Sequence, residues 1–154
     1  GAAPPVSLKT LIRRLVGCAE LGPPPKLQVV RREHPFTRAE LEADVRPMAG
    51  TESGPLFLMA NRAEFDRLRR WDLTEAQRYG PLNQCEQYAE RFRVNAARAG
   101  TNGVGLVCGA HKHEWNIIVL GTGERLHYEP QKDRILAPGE MVGKYALDGA
   151  LIII

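Results

Sequence analysis

The sequence predicts an α+β domain in which a helix that carries a cysteine packs on an antiparallel sheet. From Cys85 onward, apolar side chains recur at helical spacing, which predicts a helix over residues 83–99. Three strand-like runs follow it, at residues 104–107, 115–120 and 124–129. The last two runs are joined by Gly121-Thr122-Gly123, which is typical of a hairpin turn and therefore of antiparallel pairing.

The composition is that of an ordinary globular protein of 154 residues, with 44% hydrophobic and 25% charged residues. The net charge of +3 is too small to require a nucleic acid or an anionic membrane as a partner. No apolar run reaches the roughly 18 residues of a membrane helix. The three cysteines cannot all pair within one chain, which favours a reducing, cytoplasmic compartment.

We expect residues 1–55 to form a helical and extended segment that packs on a core domain of residues 56–154. In the first segment, residues 8–19 have the spacing of an amphipathic helix, which Gly22 and the prolines after it would end. Residues 26–32 resemble an edge strand, and residues 37–44 a short capped helix. No motif of known chemistry lies in this segment.

The core domain begins with a predicted buried strand at residues 56–60 and a helix capped by Asn61. Phe65, Leu68 and Trp71 fall on one face of that helix, so we expect this face to pack inward. The helix also carries four arginines, at positions 62, 67, 69 and 70. Such a face either binds phosphates or is a solvated face paired with Glu64 and Asp66, and the second interpretation is favoured because no exposed aromatic residues alternate with the arginines.

Cys85 lies in the first turn of the predicted 83–99 helix, with Asn83 as the expected N-cap and Glu86 completing a capping box. The apolar face continues through Tyr88, Ala89, Phe92 and Ala96, so we expect the thiol to face inward. The positive end of the helix dipole favours a thiolate there, although Glu86 opposes that effect. A buried cysteine on a helix is by default an inert apolar residue, and both interpretations stay open from these residues alone.

The hairpin around Gly121-Thr122-Gly123 predicts which side chains meet across the two strands. A three-residue turn sets Leu120 opposite Glu124 and Trp115 opposite Glu129. Because side chains alternate along a strand, His113, Trp115, Glu129 and Gln131 then share one sheet face. His113 and Glu129 become diagonal neighbours, within reach of a carboxylate-imidazole pair.

Three short motifs occur in the order cysteine, histidine, acid. They are Asn83-x-Cys85-x-x-Tyr88-Ala89, His113-Glu114-Trp115-Asn116 and Tyr128-Glu129-Pro130-Gln131. The second resembles the His-x-Trp-Asn signature of transglutaminase-core proteins. The other two resemble the cysteine segment and the Glu-Pro-Gln signature of a papain-like domain found at the C-terminus of fungal agglutinins and in phage and bacterial proteins. The resemblance covers roughly residues 56–154.

This resemblance implies a papain-like, transglutaminase-like core with Cys85 as nucleophile, His113 as general base and Glu129 as the orienting acid. Trp115, Asn116 and Gln131 would support these three residues. The implied activity is that of a cysteine peptidase-like amide hydrolase or acyl transferase acting on a peptide, protein or other amide. No cofactor would be required, although some members of the family are activated by a divalent cation.

Backbone N–H groups at Cys85 would supply part of an oxyanion site in such an enzyme. Gln77 and Gln84 are candidates for a side-chain donor, but neither lies as far upstream of the cysteine as the corresponding donor of papain-type enzymes. That role therefore stays unassigned.

Two other interpretations compete with the enzyme. Cys108, His111 and His113 form a Cys-x-x-His-x-His cluster that would ligate zinc together with Cys85 or His127. Structural zinc sites usually show two ligand pairs, which disfavours this hypothesis. The other alternative is a catalytically silent phage or bacterial interaction module, which keeps the papain-like fold and uses the same residues for packing.

Overall fold

The computed structural model describes residues 22–33, the backbone of residues 46–47, residues 54–81 and residues 84–154. The helices predicted at residues 8–19 and 37–44 lie outside these ranges, as do Asn83 and most of the predicted 1–55 segment. Within the described residues the chain is α+β, as predicted, with two α-helices and eight strands.

The strands and helices follow each other in a mixed order. The strands are β1 (Val29–Arg32), β2 (Arg46–Pro47), β3 (Leu56–Met59), β4 (Val104–Cys108), β5 (Glu114–Val119), β6 (Arg125–Glu129), β7 (Arg134–Leu136) and β8 (Leu151–Ile153). The helices are α1 (Arg62–Trp71), which follows β3, and α2 (Cys85–Arg98), which precedes β4. Short 3-10 turns lie at Thr74–Ala76, Pro138–Glu140 and Gly143–Tyr145.

Six of the strands form one sheet in the order β2-β8-β4-β5-β6-β7. Its pairings are antiparallel, except that β2 runs parallel to β8 at one edge. The remaining strands, β1 and β3, form a separate antiparallel pair. The prediction of a strand near residues 26–32 is confirmed for residues 29–32.

The predicted hairpin register is confirmed. In β5 and β6, Asn116 pairs with Tyr128 and Ile118 with Leu126. At the turn, the Leu120 N–H donates to the Glu124 carbonyl at 2.9 Å. Gly123 has a φ of +88°, a conformation that glycine adopts without the steric cost that a Cβ brings.

The six-stranded sheet is covered on both faces. On one face Trp115, Ile117 and Val119 pack with residues of β3, β7 and β8 and with Tyr145. On the other face Ile118 and Leu120 pack against α1 and α2. The antiparallel sheet with the cysteine-bearing helix on it is therefore as expected, and the helix meets the face opposite to Trp115.

Helix α1 agrees with the sequence prediction in its start and in its buried face. The Asn61 side chain accepts from the Glu64 N–H at 3.2 Å, and Phe65, Leu68 and Trp71 are buried. Two of the four arginines pair with the predicted carboxylates, whereas Arg62 pairs with Glu124 and Arg69 lies closer to Asp133, at 2.9 Å. Arg67 lies 2.8 Å from Glu64, and Arg69 lies 3.4 Å from Asp66.

Helix α2 begins one residue later than predicted. Its N-cap is Gln84, whose backbone N–H donates to the Gln87 side chain at 2.8 Å, so Cys85 is the first helical residue. The predicted cap by Asn83 with Glu86 is thus wrong, because the box closes between Gln84 and Gln87 instead. The buried face of Tyr88, Ala89, Phe92 and Ala96 is confirmed. None of the helices in the described ranges has the length and apolar character needed to cross a membrane.

Candidate active site

His113 lies at the start of β5, at the end of the tight loop that leaves β4. The loop is closed by hydrogen bonds from the Gly109 N–H to the His113 carbonyl and from the Lys112 N–H to the Gly109 carbonyl. Lys112 has a φ of +57°. This geometry turns the chain so that the His113 ring faces β6, where its Nε2 lies 2.7 Å from Oε2 of Glu129. The predicted approach of these two side chains is confirmed.

Glu129 is almost fully buried and holds three hydrogen bonds. Its Oε2 accepts from the Tyr145 hydroxyl at 2.7 Å as well as meeting His113, and its Oε1 accepts from the Gln131 N–H at 3.3 Å. Burial by itself raises the pKa of this carboxyl, but the bonds from His113 and Tyr145 outweigh burial and lower it below the ordinary value. Glu129 is therefore an ionised acceptor at neutral pH.

Trp115 packs against the imidazole of His113. Its ring is fully buried, stacks on the His113 ring at 6.0 Å and meets the Tyr145 ring edge-on at 5.5 Å. Its Nε1–H donates to Nδ1 of His127 at 2.9 Å. A Cβ at Gly109 would lie 2.9 Å from the indole, so the loop requires glycine there. The indole thus restricts the position of the imidazole ring.

Asn116 joins the sheet to the helix that carries the cysteine. Its side-chain amide donates to the Ala89 carbonyl of α2 at 3.0 Å and to the Gly105 carbonyl of β4 at 3.1 Å. The residue is fully buried, and its Oδ1 has no hydrogen-bond partner among the described residues. Because Asn116 belongs to β5, the strand that begins just after His113, and Ala89 belongs to the helix that begins with Cys85, this contact joins the strand to the helix.

The Cys85 sulfur contacts the backbone on both sides of His113. It lies 3.9 Å from the Lys112 carbonyl oxygen, and the Glu114 N–H is hydrogen-bonded to it. The thiol also donates to Oε2 of Glu86 at 3.5 Å. At this corner of the molecule the hydrogen-bond acceptors of the thiol are therefore Glu86 and the loop backbone, whereas the His113 ring is bonded to Glu129.

A pocket of about 210 Å³ opens over this corner. It is lined by residues from α2, from β4 and from the loop before β5, namely Cys85, Glu86, Cys108, Gly109, Lys112, His113 and Glu114. The cysteine is partly exposed to it rather than facing inward as predicted. The pocket thus brings a thiol, an imidazole and side chains of both charge signs to one solvent-accessible place.

The expectation that the helix dipole favours a Cys85 thiolate is wrong. Burial raises the pKa of the thiol, and the carboxylates of Glu86 and Glu114 raise it further, while the Glu114 N–H works in the opposite direction. The resting side chain is therefore a neutral thiol, and any reaction at this sulfur needs a base to remove its proton.

Cys108 and Glu114 form a second pair in the same pocket. Cys108 donates to Oε1 of Glu114 at 3.4 Å, and burial together with that carboxylate raises the pKa of Cys108 to about 12. Burial also raises the pKa of Glu114, whose Oε2 has no hydrogen-bond partner in the part of the chain that the structure describes. Cys108 is thus the less reactive of the two thiols in the pocket.

Of the remaining predicted residues, two lie next to the site and two do not. Gln131 contributes its backbone N–H to Glu129, and Gln84 caps α2 next to Cys85. Gln77 offers its carbonyl to the Tyr88 hydroxyl, and His111 is exposed to solvent. In the part of the chain that is described, no three His, Cys, Asp or Glu side chains are placed to hold a metal ion. His127 is bonded to Trp115, so it does not join Cys108 and His111 in the hypothetical zinc cluster.

Sequence reasoning did not identify Tyr145 and Glu114 as site residues. Tyr145 is the last residue of a 3-10 turn in the last part of the chain and meets β6 only through the tertiary fold. Glu114 was visible as the second residue of the His-x-Trp-Asn motif, but strand alternation placed it on the face away from His113. Comparison of the chain with protein-family models, with curated proteins and with solved structures gives no match.

Replacing Glu86 with glutamine should lower the pKa of the Cys85 thiol. The carboxylate accepts a hydrogen bond from the thiol and repels the thiolate, so its removal favours the charged sulfur. The pH midpoint of iodoacetamide alkylation of Cys85 should therefore move to lower pH. Glu124→Gln, which removes an exposed carboxylate at the hairpin turn that ends β5, is the control and should leave the midpoint in place. An unchanged midpoint in Glu86→Gln would contradict the assignment.

Proposed function

We propose that this chain is a cysteine-dependent amide hydrolase or acyl transferase with a papain-like core and a Cys85-His113-Glu129 triad. The single observation that carries the proposal is that His113, hydrogen-bonded to Glu129, lines the same pocket as Cys85, the first residue of a helix. A nucleophile, a base and a group that orients the base are the three parts that such catalysis requires. The motif resemblance supplies the same assignment of roles.

The geometry supports a distinct role for each nitrogen of the imidazole. Nε2 is bonded to the ionised Glu129, which leaves Nδ1 as the nitrogen to exchange a proton with Cys85. The carboxylate fixes the orientation of the ring and stabilises the imidazolium that forms after proton transfer. Trp115 restricts the ring from below.

The reaction then proceeds in two steps. The Cys85 proton moves to His113 while the sulfur attacks the carbonyl carbon of the amide, and the tetrahedral intermediate collapses when His113 returns the proton to the leaving amine. Water or an amine then attacks the thioester and gives its proton to the same imidazole, and the imidazolium returns that proton to the departing Cys85 sulfur as the acyl product leaves. The backbone N–H of Cys85 faces the developing oxyanion from the first turn of α2.

The raised pKa of Cys85 decides which form of this mechanism applies. Because the resting sulfur is protonated, His113 acts as a general base during attack, and no ion pair with a stable thiolate exists beforehand. Glu86 holds the thiol in its resting orientation. Entry of the substrate amide into the pocket has to displace that contact before the proton can pass to the imidazole.

The second candidate is an interaction module that keeps the triad residues as packing. The observation that favours it is that the thiol donates to Glu86 and lies against the Lys112 carbonyl in place of the imidazole. A pocket of about 210 Å³ also accommodates only a small part of a peptide. The two candidates differ in whether His113 changes the reactivity of Cys85.

Stoichiometric labelling of Cys85 by a chloroacetamide peptide mimic, followed by intact mass, tests the proposal. We expect one label per chain at low probe concentration, loss of that label in Cys85→Ala, and its retention in Cys108→Ala. The labelling rate should fall about tenfold or more in His113→Ala. If Cys85 reacts no faster than free N-acetylcysteine, or at the same rate in His113→Ala, the interaction module replaces the enzyme.

A further inference from the structure

We propose that Tyr145 is a positioning residue of the active site, whose hydroxyl holds the Glu129 carboxylate in the orientation that directs the His113 imidazole toward Cys85. This inference rests on the proposed function and extends it to a residue outside the three motifs. Tyr145 does not touch the sulfur, so it acts through Glu129 and not on the substrate.

The first support is that Tyr145 and His113 meet the same carboxylate oxygen. Both the Tyr145 hydroxyl and Nε2 of His113 lie 2.7 Å from Oε2 of Glu129. The other oxygen is held by the Gln131 N–H. The carboxylate therefore has no freedom to rotate away from the imidazole without breaking a hydrogen bond to Tyr145.

The second support is the packing of the tyrosine ring. Tyr145 is buried and meets the His113 ring edge-on at 5.1 Å and the Trp115 ring at 5.5 Å. The imidazole is thus enclosed by Trp115 below, Tyr145 at its edge and Glu129 at its Nε2. One residue from the last part of the chain fixes both the base and the group that orients it.

The charged groups around this tyrosine do not account for the arrangement. Arg134 and Glu140 face it from β7 and the 3-10 turn after it, but they are paired with each other. The ammonium of Lys144 lies 5.1 Å from the centre of the Tyr145 ring and does not reach the hydroxyl contact. Burial and Glu129 together raise the pKa of Tyr145 above its ordinary value, so the hydroxyl is a neutral donor at every pH at which the triad works.

The test is the Tyr145→Phe variant, which keeps the ring and removes the donor. Carbon-13 NMR of the Glu129 carboxyl, assigned with Glu129→Gln, should show its titration midpoint rising by about half a unit to one unit, because a donor to the ionised form is lost. The rate of Cys85 alkylation by iodoacetamide at pH 7 should fall about threefold or more. Tyr79→Phe removes an exposed hydroxyl and should change neither quantity.

An unmoved Glu129 midpoint, or an alkylation rate equal to that of the unmodified chain, overturns the positioning role. Thermal unfolding of Tyr145→Phe separates this role from loss of fold, since a purely structural effect lowers the melting temperature without moving the carboxyl midpoint. His113→Ala separates the inference from the proposed function. If that variant alkylates at the unmodified rate, the triad itself fails, whereas the carboxyl midpoint still reports whether Tyr145 holds Glu129.

Discussion

Cys85→Ala is expected to abolish amide cleavage or transfer, with a loss of about 10³-fold or more, while the fold is retained. In the proposed mechanism the Cys85 sulfur forms the covalent bond to the acyl group, and the Cys108 thiol does not replace it, since its pKa is about 12 and it is bonded to Glu114. The free energy of unfolding should change by less than about 1 kcal/mol, because the side chain is small and partly exposed.

The same activity measurement ranks His113 and Glu129 by how much activity their variants lose. His113→Ala should lose as much activity as Cys85→Ala, because residues that act as one unit do not contribute additively. Glu129→Gln should lose less, since an amide oxygen still accepts a hydrogen bond from the imidazole but no longer carries the charge that stabilises the imidazolium. The measurement is turnover of a library of peptide amides by mass spectrometry.

Cys108→Ala is the matched control for the nucleophile. It removes the other thiol of the same pocket and should leave turnover within a few-fold of the unmodified chain. Full activity in Cys85→Ala would contradict the catalytic assignment, and so would a Cys108→Ala variant as inactive as Cys85→Ala.

Local elements were predictable because their determinants lie a few residues apart. The Gly121-Thr122-Gly123 turn set the register of β5 and β6, and alternation along the strands then brought His113 to Glu129. The cap of α1 is likewise a contact between Asn61 and the N–H three residues later. In both cases the contact joins residues whose spacing in the sequence is that of the local strand or helix.

The features that sequence did not predict depend on contacts between distant segments. The placement of β8 between β2 and β4, and the return of Tyr145 to Glu129, are set by how the whole chain packs. The helix dipole favours a Cys85 thiolate, whereas burial and the carboxylates of Glu86 and Glu114 raise the pKa of this thiol. The balance of these effects on the pKa depends on the tertiary environment of the thiol, which a local sequence pattern does not contain.

The largest expected effect on stability is that of Trp115→Ala, which should lower the free energy of unfolding by about 3 to 5 kcal/mol. The indole is fully buried in the core between the sheet, Tyr145 and the loop of Gly109, so its removal leaves a cavity that the surrounding residues fill only in part. For a domain of this size that loss is a large share of the total stability. Urea denaturation followed by circular dichroism measures it.

Two variants separate the contributions to that loss. Trp115→Phe keeps an aromatic ring but loses the donor to His127. It should therefore lower the free energy of unfolding, but by less than the alanine variant does. Val94→Ala shortens an apolar side chain that is 59% exposed on α2, and should change stability by about 0.5 kcal/mol or less. If Trp115→Ala proves no more destabilising than Val94→Ala, the indole is not a core residue. The packing that supports the His113 ring then has to come from other side chains.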